Sequence, residues 1–370
     1  MRIAQVCSLH ESVPPKQYGG TERVVAYLTD ALMDLGHEVT VFASGDSETK
    51  ARLRPMREKA IRLDDEPADP MAPHILMIEK ALDEADQFDV MHFHTDYFHF
   101  PAIRRQPVPH VTTLHGRLDI GDLRPVYEEF REMPLVSISD NQRLPIPGAG
   151  WIATVYHGLP KSSCSYRPKS GDYLAFLGRF TPEKQAEIAI DIAKRAGIPI
   201  KLAAKIDDSF LEYFHESVEP LLADPQVEYI GEIDEHEKAD FLGNALGLLF
   251  PINWPEPFGL VMIEAMACGT PAIAFRHGSV PEVIDEGITG FAVGSEEEAV
   301  DAVRRLPKLD RRKVFARFQE RFSAERMARD YVEVYKRVMA EHGQRTPPPK
   351  TESASNGGRG RGFETVAMEP

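Results

Sequence analysis

The chain has 370 residues, of which 42% are hydrophobic and 27% charged, a balance that suits a folded protein long enough for two domains and excludes disorder throughout. A formal charge of −15 argues against a general nucleic-acid binder, whose affinity rests on many cations meeting phosphates. The three cysteines, Cys7, Cys164 and Cys268, are too few and too far apart for a disulfide framework or a zinc knuckle, and they fit a reducing compartment.

In chain order, "MRIAQVCSLHES" is apolar over too short a run for a signal peptide, and nowhere do about 18 uninterrupted apolar residues occur, so a cytoplasmic protein is expected. The run "RIAQVCSLHESVPPKQYGGTERVVAYLTDALMDLGHEVTVF" reads as strand, loop, helix, glycine stop and strand. Its loop "YGGTE", Tyr18 to Glu22, places Gly19 and Gly20 before a helix, where the backbone can approach an anion closely. "KARLRPMREKAIRL" and, later, "PKLDRRKVFARFQERF" are basic stretches with apolar spacing; they read as solvated helix faces, with weak peripheral contact to anionic lipid as the alternative. "HFHTDYFH" sets His92 and His94 on one strand face with Asp96 and His99 nearby. With no second ligand cluster, these read as polar residues facing a cleft rather than as a metal site.

The same strand-loop-helix-Gly-strand order returns in "YLAFLGRFTPEKQAEIAIDIAKRAGIPIKLAAK", and the helix-Gly-strand part again in "EAMACGTPAIAFRHG". Two openings of this kind imply two Rossmann-like domains, each with a doubly wound parallel sheet. The junction falls in "YHGLPKSSCSYRPKSGD", giving a first domain at 1–158 and a second at 159–322. A helix over 323–342 follows, with an apolar stripe at Met327, Tyr331, Val334, Tyr335 and Val338 that needs a surface to pack on. From 343 to 370 the chain is Pro, Gly and polar residues without periodicity, and a disordered tail is expected; its "GRGRG" reads as solvated rather than as an RNA contact.

Function gathers in "GRFTPEK" and "WPEPFGLVMIEAMACGTPAIAF". In the first, Gly178 is expected to end a strand, with Arg179 beside it and Lys184 at the start of the next helix, two cations able to grip an oxyanion. In the second, the helix is expected to run from about Phe258 to Cys268, its first N–H groups unpartnered and at the positive end of the dipole. Glu256 precedes that terminus and Glu264 lies roughly 9 Å along the axis, by about 1.5 Å per residue. Two acceptors with donors between them suit a ligand with hydroxyls at both ends and negative charge in its middle, such as a folded nucleotide sugar. Salt-bridged structural acids are the competing reading.

"EPFGLVMIEAMACGTPAIA" closely resembles the donor-site signature of retaining GT-B glycosyltransferases of family 4, and "GSVPEVI", "GITGF" and "FSAERMARDYVEVYKRV" extend the likeness over nearly the whole chain before the tail. The resemblance implies two Rossmann-like domains facing across a cleft, with the last helix crossing back to the first. It implies that Glu264 binds ribose hydroxyls, Glu256 the donor sugar, and Phe258, Gly259 and Leu260 the sugar and phosphate through backbone amides. Arg179 and Lys184 would hold the diphosphate, Gly20 would approach it from the other domain, and His115 in "VTTLHGRLD" would lie by the transferred sugar and orient a hydroxyl. A structural loop histidine is the alternative at that position. Where the family commonly has Asn-Gly the chain has His157-Gly158.

The implied reaction moves a hexosyl group from a nucleoside-diphosphate sugar, a UDP-sugar first, to a hydroxyl acceptor such as a glycan, glycolipid or small molecule. Fixed amides and cations would stabilise the departing phosphate, so no metal or other cofactor is expected. First-domain loops at Glu22, His94, Asp96 and Arg117 would face the acceptor. Two rivals are a nucleotide-sugar 2-epimerase and a catalytically silent nucleotide-sugar binder; a dehydrogenase is not expected, because no Gly-x-Gly-x-x-Gly follows either first strand.

Overall fold

A computed structural model describes residues 1–16, 19–64, 69–163 and 165–344. Tyr18, Cys164 and the expected tail beyond Gln344, with its "GRGRG", lie outside the described residues. The first sheet holds β1 (Arg2–Val6), β2 (Glu38–Ser44), β3 (Arg52–Arg57), β4 (Val90–Phe93), β5 (His110–Thr113), β6 (Leu135–Ser137) and β7 (Trp151–Thr154), in the order β3-β2-β1-β4-β5-β6-β7. The second holds β8 (Leu174–Phe180), β9 (Ile200–Ile206), β10 (Val227–Gly231), β11 (Gly247–Phe250), β12 (Ala272–Phe275) and β13 (Gly290–Val293), in the order β10-β9-β8-β11-β12-β13. Every strand pairing is parallel. Parallel sheets are covered on both faces, which is why strands such as β4 and β11 are buried at every position.

The covering helices are α1 (Gly20–Asp34), α2 (Met71–Asp83), α3 (Phe100–Ile103) and α4 (Leu123–Glu129) in the first domain. The second has α5 (Ala186–Ala196), α6 (Leu211–Tyr213), α7 (Glu235–Gly243), α8 (Leu260–Ala267), α9 (Val280–Val283), α10 (Glu296–Arg305) and α11 (Arg311–Arg321). The last helix, α12 (Ala324–Gln344), leaves the second domain and buries Met327, Tyr331, Val334, Tyr335 and Val338 in the same core cluster as Val24, Val25 and Leu28 of α1. Each such burial contributes about 1.5–3 kcal/mol, so the stripe read from the sequence fastens this helix to the first domain.

The chain therefore crosses between the domains twice, and the crossings lie side by side. Leu159 N–H donates to Phe322 O (2.9 Å), Ala324 N–H donates to Leu159 O (2.9 Å), and the Arg326 guanidinium donates to the carbonyls of Tyr156 and His157. A second clamp joins the domains at Glu282, whose carboxylate accepts from the backbone N–H groups of Asp140 and Asn141 (both 2.7 Å) and from Tyr156 Oη (3.1 Å).

Several local expectations need correction. β8 runs on to Phe180, so Gly178 does not end the strand: it and Arg179 lie within it, opposite Ala204 and Lys205. Lys184 sits in the loop before α5, because Gln185 at φ 51° breaks the helical path. α8 begins at Leu260, not Phe258, since Gly259 turns at φ 78°, and it ends at Ala267. The basic stretch at 50–63 is not a helix face: β3 occupies Arg52–Arg57, Arg54 pairs with Glu84 (2.6 Å), Arg57 with Asp64, and Arg62 with Glu11 (3.4 Å). In α11, Arg311 turns inward to the carbonyls of Arg167, Gly243 and Ala245, and Arg321 pairs with Asp285 (2.6 Å). Among the described residues no helix is long and apolar enough to cross a membrane.

Candidate active site

In each sheet the strand order reverses once, between β1 and β4 and between β8 and β11. Open α/β sheets bind ligands in the crevice beyond the carboxyl ends of strands at such a reversal. Here the two crevices face one another and form an open cleft of about 810 Å³. Gly19, Gly20, Glu22, His94, Asp96 and His115 line it from the first domain, and Gly178, Arg179, Lys184, Glu256, Phe258, Gly259, Leu260 and Glu264 from the second. The N-termini of α1 and α8 meet across it, so closely that a methyl on Gly20 would stand 3.6 Å from Leu260 Cδ1.

On the second-domain side, the loop after β11 carries Glu256 and Gly259 to the rim, and α8 then drives Glu264 inward to 8% exposure. Glu256 Oε2 accepts from Lys184 Nζ at 2.5 Å, and that ammonium lies over the rings of Phe250 (5.1 Å) and Trp254 (5.4 Å). Glu264 Oε1 accepts from Lys238 Nζ at 3.2 Å. Lys238 also reaches Glu235 (2.6 Å), and Glu235 holds Arg23 of α1 (2.5 Å), so a charged chain runs from Glu264 across to the first domain. Burial works to lower the Lys238 ammonium, but the Glu264 and Glu235 carboxylates outweigh it and hold it above its ordinary value. Both glutamates thus have lysine partners, as the salt-bridge reading expected, yet both also line the cleft. Arg179 lies beside them with one Nη on Asp207 at 2.7 Å.

On the first-domain side, His115 Nε2 is 2.8 Å from His94 Nδ1, and His94 Nε2 is 2.7 Å from Gln5 Oε1. The His157 ring stacks on His115 with centroids 5.3 Å apart. Burial pushes His115 down to about 3 and His94 and His157 well below the ordinary histidine value, so all three are neutral near pH 7. The Nδ1 atoms of His115 and His157 are buried without a hydrogen-bond partner. Burial raises the Glu22 carboxyl, against hydrogen bonds from its own backbone N–H and from Ser8. Protein crowded around Asp96, which stays accessible from the cleft, pushes that carboxyl up to about 6.

Arg117 is not among the residues lining the cleft; it pairs with Asp119 (2.7 Å) and lies over the Trp254 ring (5.6 Å), at the side of the opening. His92 and His99 face the first domain's interior instead. His92 bonds Tyr335 Oη (2.8 Å) and Thr113 Oγ1 (2.7 Å), and His99 bonds Thr112 Oγ1 (2.8 Å). With those nitrogens taken, the histidine cluster does not converge on an ion, and the described residues hold no group of three His, Cys, Asp or Glu side chains placed to share one.

Sequence reasoning missed Lys238, Glu235 and Arg23, because "DEHEKAD" reads as an ordinary solvated helix and only the fold carries it to Glu264. It missed Gln5, for which a signal existed: a glutamine inside the apolar strand "RIAQV" is a buried polar group that must find partners. It also set His157 aside, though the crossing segment brings that ring into the cleft.

Residues 165–322 match the family profile described as glycosyl transferases group 1, and residues 18–140 match glycosyltransferase family 4. The phosphatidyl-myo-inositol mannosyltransferase of Mycolicibacterium smegmatis is 27% identical over 329 residues, 79% of this chain and 81% of that one. A glycosyltransferase involved in avilamycin A biosynthesis superposes with a TM-score of 0.72 at 26% identity, over 92% of this chain and 98% of that one. Anabaena HepE in complex with UDP-glucose shares the fold, with a TM-score of 0.70 at 16% identity over 91% of this chain and 100% of that one. With two facing parallel-sheet domains and both halves of the chain matched, the protein belongs to the GT-B glycosyltransferases of family 4.

Proposed function

We propose that the protein is a retaining hexosyltransferase that takes its sugar from a nucleoside diphosphate and passes it to a hydroxyl acceptor in the first-domain half of the cleft. The observation that carries this reading is the convergence of Glu256, Glu264, Arg179, Lys184 and the N-terminus of α8 on one wall of the cleft. Glu264 accepts from the ribose hydroxyls and Glu256 from the hexose hydroxyls, each exchanging its lysine contact for the ligand. Arg179, Lys184 and the amides at Phe258, Gly259 and Leu260 take the diphosphate, with the Gly19–Gly20 backbone approaching from the other side. As the anomeric carbon gains oxocarbenium character, negative charge grows on the leaving phosphate. Cations and amides already in place stabilise it without reorganising, in the role a metal plays elsewhere.

Retention follows if the acceptor hydroxyl attacks from the leaving-group face and gives its proton to the departing phosphate, so that Glu256 binds sugar rather than forming a bond to it. His115 meets a sugar hydroxyl, and Glu22, His94 and Asp96 face the acceptor. UDP-sugars are the first donors to test, the ligand class named for HepE, and a cytoplasmic setting accords with the low cysteine count. The test incubates purified protein with UDP-, GDP- and ADP-hexoses and an acceptor panel and follows the anomeric proton by NMR. A transferred sugar with the donor's anomeric configuration supports the reading. An inverted product overturns retention, release or interconversion of the donor's sugar without acceptor favours the 2-epimerase, and tight donor binding without turnover favours the silent binder.

A further inference from the structure

The buried polar groups around His115 form a closed pattern that determines which ring atom carries its proton. Gln5, on β1, lies between two partners: its Nε2 is 3.2 Å from Tyr335 Oη and its Oε1 is 2.7 Å from His94 Nε2. Tyr335 Oη also meets His92 Nδ1 at 2.8 Å, and His92 Nε2 meets Thr113 Oγ1 at 2.7 Å. His94 continues the chain to His115 Nε2 at 2.8 Å. Burial keeps these rings neutral, so each has one N–H and one lone pair, and fixing one fixes the next.

Two arrangements satisfy every contact, one the reverse of the other. In the first, the Gln5 amide donates to Tyr335, which donates to His92. The Gln5 carbonyl then accepts from His94 Nε2–H, so His94 Nδ1 accepts from His115 Nε2–H, and His115 Nδ1 carries a lone pair. In the second, the Gln5 amide is turned over and His115 Nδ1 carries the proton. Because that atom is buried without a partner, the second arrangement orphans an N–H donor and the first only an acceptor, and orphaned buried donors are the rarer and costlier case.

We propose that Gln5, acting through His94, holds His115 in the tautomer with a lone pair on Nδ1, so that a substrate hydroxyl that reaches this covered atom, once the groups packed over it give way on binding, meets an acceptor there. Gln5 and His94 are positioning residues, since neither needs to touch the sugar, and His157 stacked on His115 holds the ring plane. Tyr335 and Tyr331 both belong to α12, and Tyr331 Oη is 2.8 Å from Thr113 Oγ1, so the seat of the crossing helix is part of the same network. The tautomer stands on the structure alone; its use rests on the proposed placement of a sugar hydroxyl at His115.

The experiment labels the histidine rings of the full chain with ¹⁵N and records ring-nitrogen shifts at pH 7.5, with His115→Gln to assign the signal. The expected spectrum shows His115 Nδ1 unprotonated and Nε2 protonated. A proton on Nδ1 overturns the proposal, whatever the enzyme's activity. In Gln5→Met the carbonyl is lost, and His115 is expected to populate both tautomers, with kcat/KM lowered about tenfold while the Kd for nucleoside diphosphate is unchanged. Gln5→Glu keeps an acceptor opposite His94 and is expected to restore the wild-type tautomer. If Gln5→Met shifts the tautomer and turnover does not change, the positioning role is overturned. If the wild type turns over no nucleotide sugar at all, the proposed function fails, and the spectrum still decides the tautomer. Should Gln5→Met not fold, the wild-type spectrum still decides the tautomer, and a proton on His115 Nδ1 in Gln5→Glu overturns the role given to Gln5.

Discussion

Replacing Gly259 by alanine is expected to destabilise the second domain by about 2–5 kcal/mol, through two separable costs. The residue adopts φ 78°, a left-handed conformation that costs an L side chain roughly 1–2 kcal/mol. The added Cβ would also stand 2.7 Å from Met262 Cε, 3.1 Å from Phe250 Cε1 and 3.4 Å from Glu256 Cγ. The Met262 methyl can swing aside, but the Phe250 ring is buried at 3% exposure and must be pushed, and overpacking of this kind costs about 1–3 kcal/mol. Gly287 supplies the control: it adopts φ 71° with nothing within 4 Å of its Cβ position, so Gly287→Ala carries the backbone cost alone. Thermal unfolding followed by fluorescence, with Trp254 in the adjacent loop as reporter, compares the two. At about 2–4 °C per kcal/mol for a domain of this size, Gly259→Ala lowers Tm by about 4–20 °C and Gly287→Ala by about 2–8 °C. Equal losses would refute the steric argument, and an unchanged Gly259→Ala would refute both parts.

Three further outcomes are expected. The first domain is acid-labile, because burial favours the neutral forms of His92, His94, His99, His115 and His157. The sign follows from their depressed folded values: below the unfolded value near 6.5 the unfolded chain takes protons that the folded one refuses. Stability is therefore full above that pH and falls as pH drops, by about 1.4 kcal/mol per histidine per pH unit; a Tm that stays level from pH 7.5 to 5 contradicts it. Lys184→Ala is expected to weaken nucleoside-diphosphate binding about 10–100-fold, the loss of one charge-assisted contact, and calorimetric titration giving an unchanged Kd removes Lys184 from the site. Arg23→Ala and Glu235→Ala are expected to couple by about 0.5–1 kcal/mol in a double-mutant cycle of stability, since Glu235 is partly solvated; strict additivity would show that the bridge between the domains contributes nothing.

Much of this architecture was legible in the residues because its signals are local. The recurrence of helix, glycine and β-branched strand announces parallel αβ units, and the stripe from Met327 to Val338 states that the last helix has a surface to cover. The glutamates were legible for a chemical reason, since carboxylates bracketing an apolar helix require partners, and both occupy the cleft wall. What the sequence hid depends on distant approach. Nothing in "DEHEKAD" says that Lys238 will reach Glu264, and nothing near Arg117 says that the Trp254 ring will come under its guanidinium. The basic run at 50–63 misled because charge spacing alone cannot tell a helix face from an edge strand whose arginines find acids elsewhere in the domain. Strand and helix ends shifted by two residues or so, where backbone turns at Gln185 and Gly259 override propensity.

The most direct test of the central claim is calorimetric titration of UDP, GDP and ADP into the wild type and into Glu264→Gln, which keeps the side chain's size while removing its charge. One nucleotide is expected to bind the wild type, and the substitution to weaken it at least about tenfold, as a ribose loses a charged acceptor. Absence of binding by all three, or equal binding by both proteins, would contradict the assignment of this cleft to a nucleotide-sugar donor.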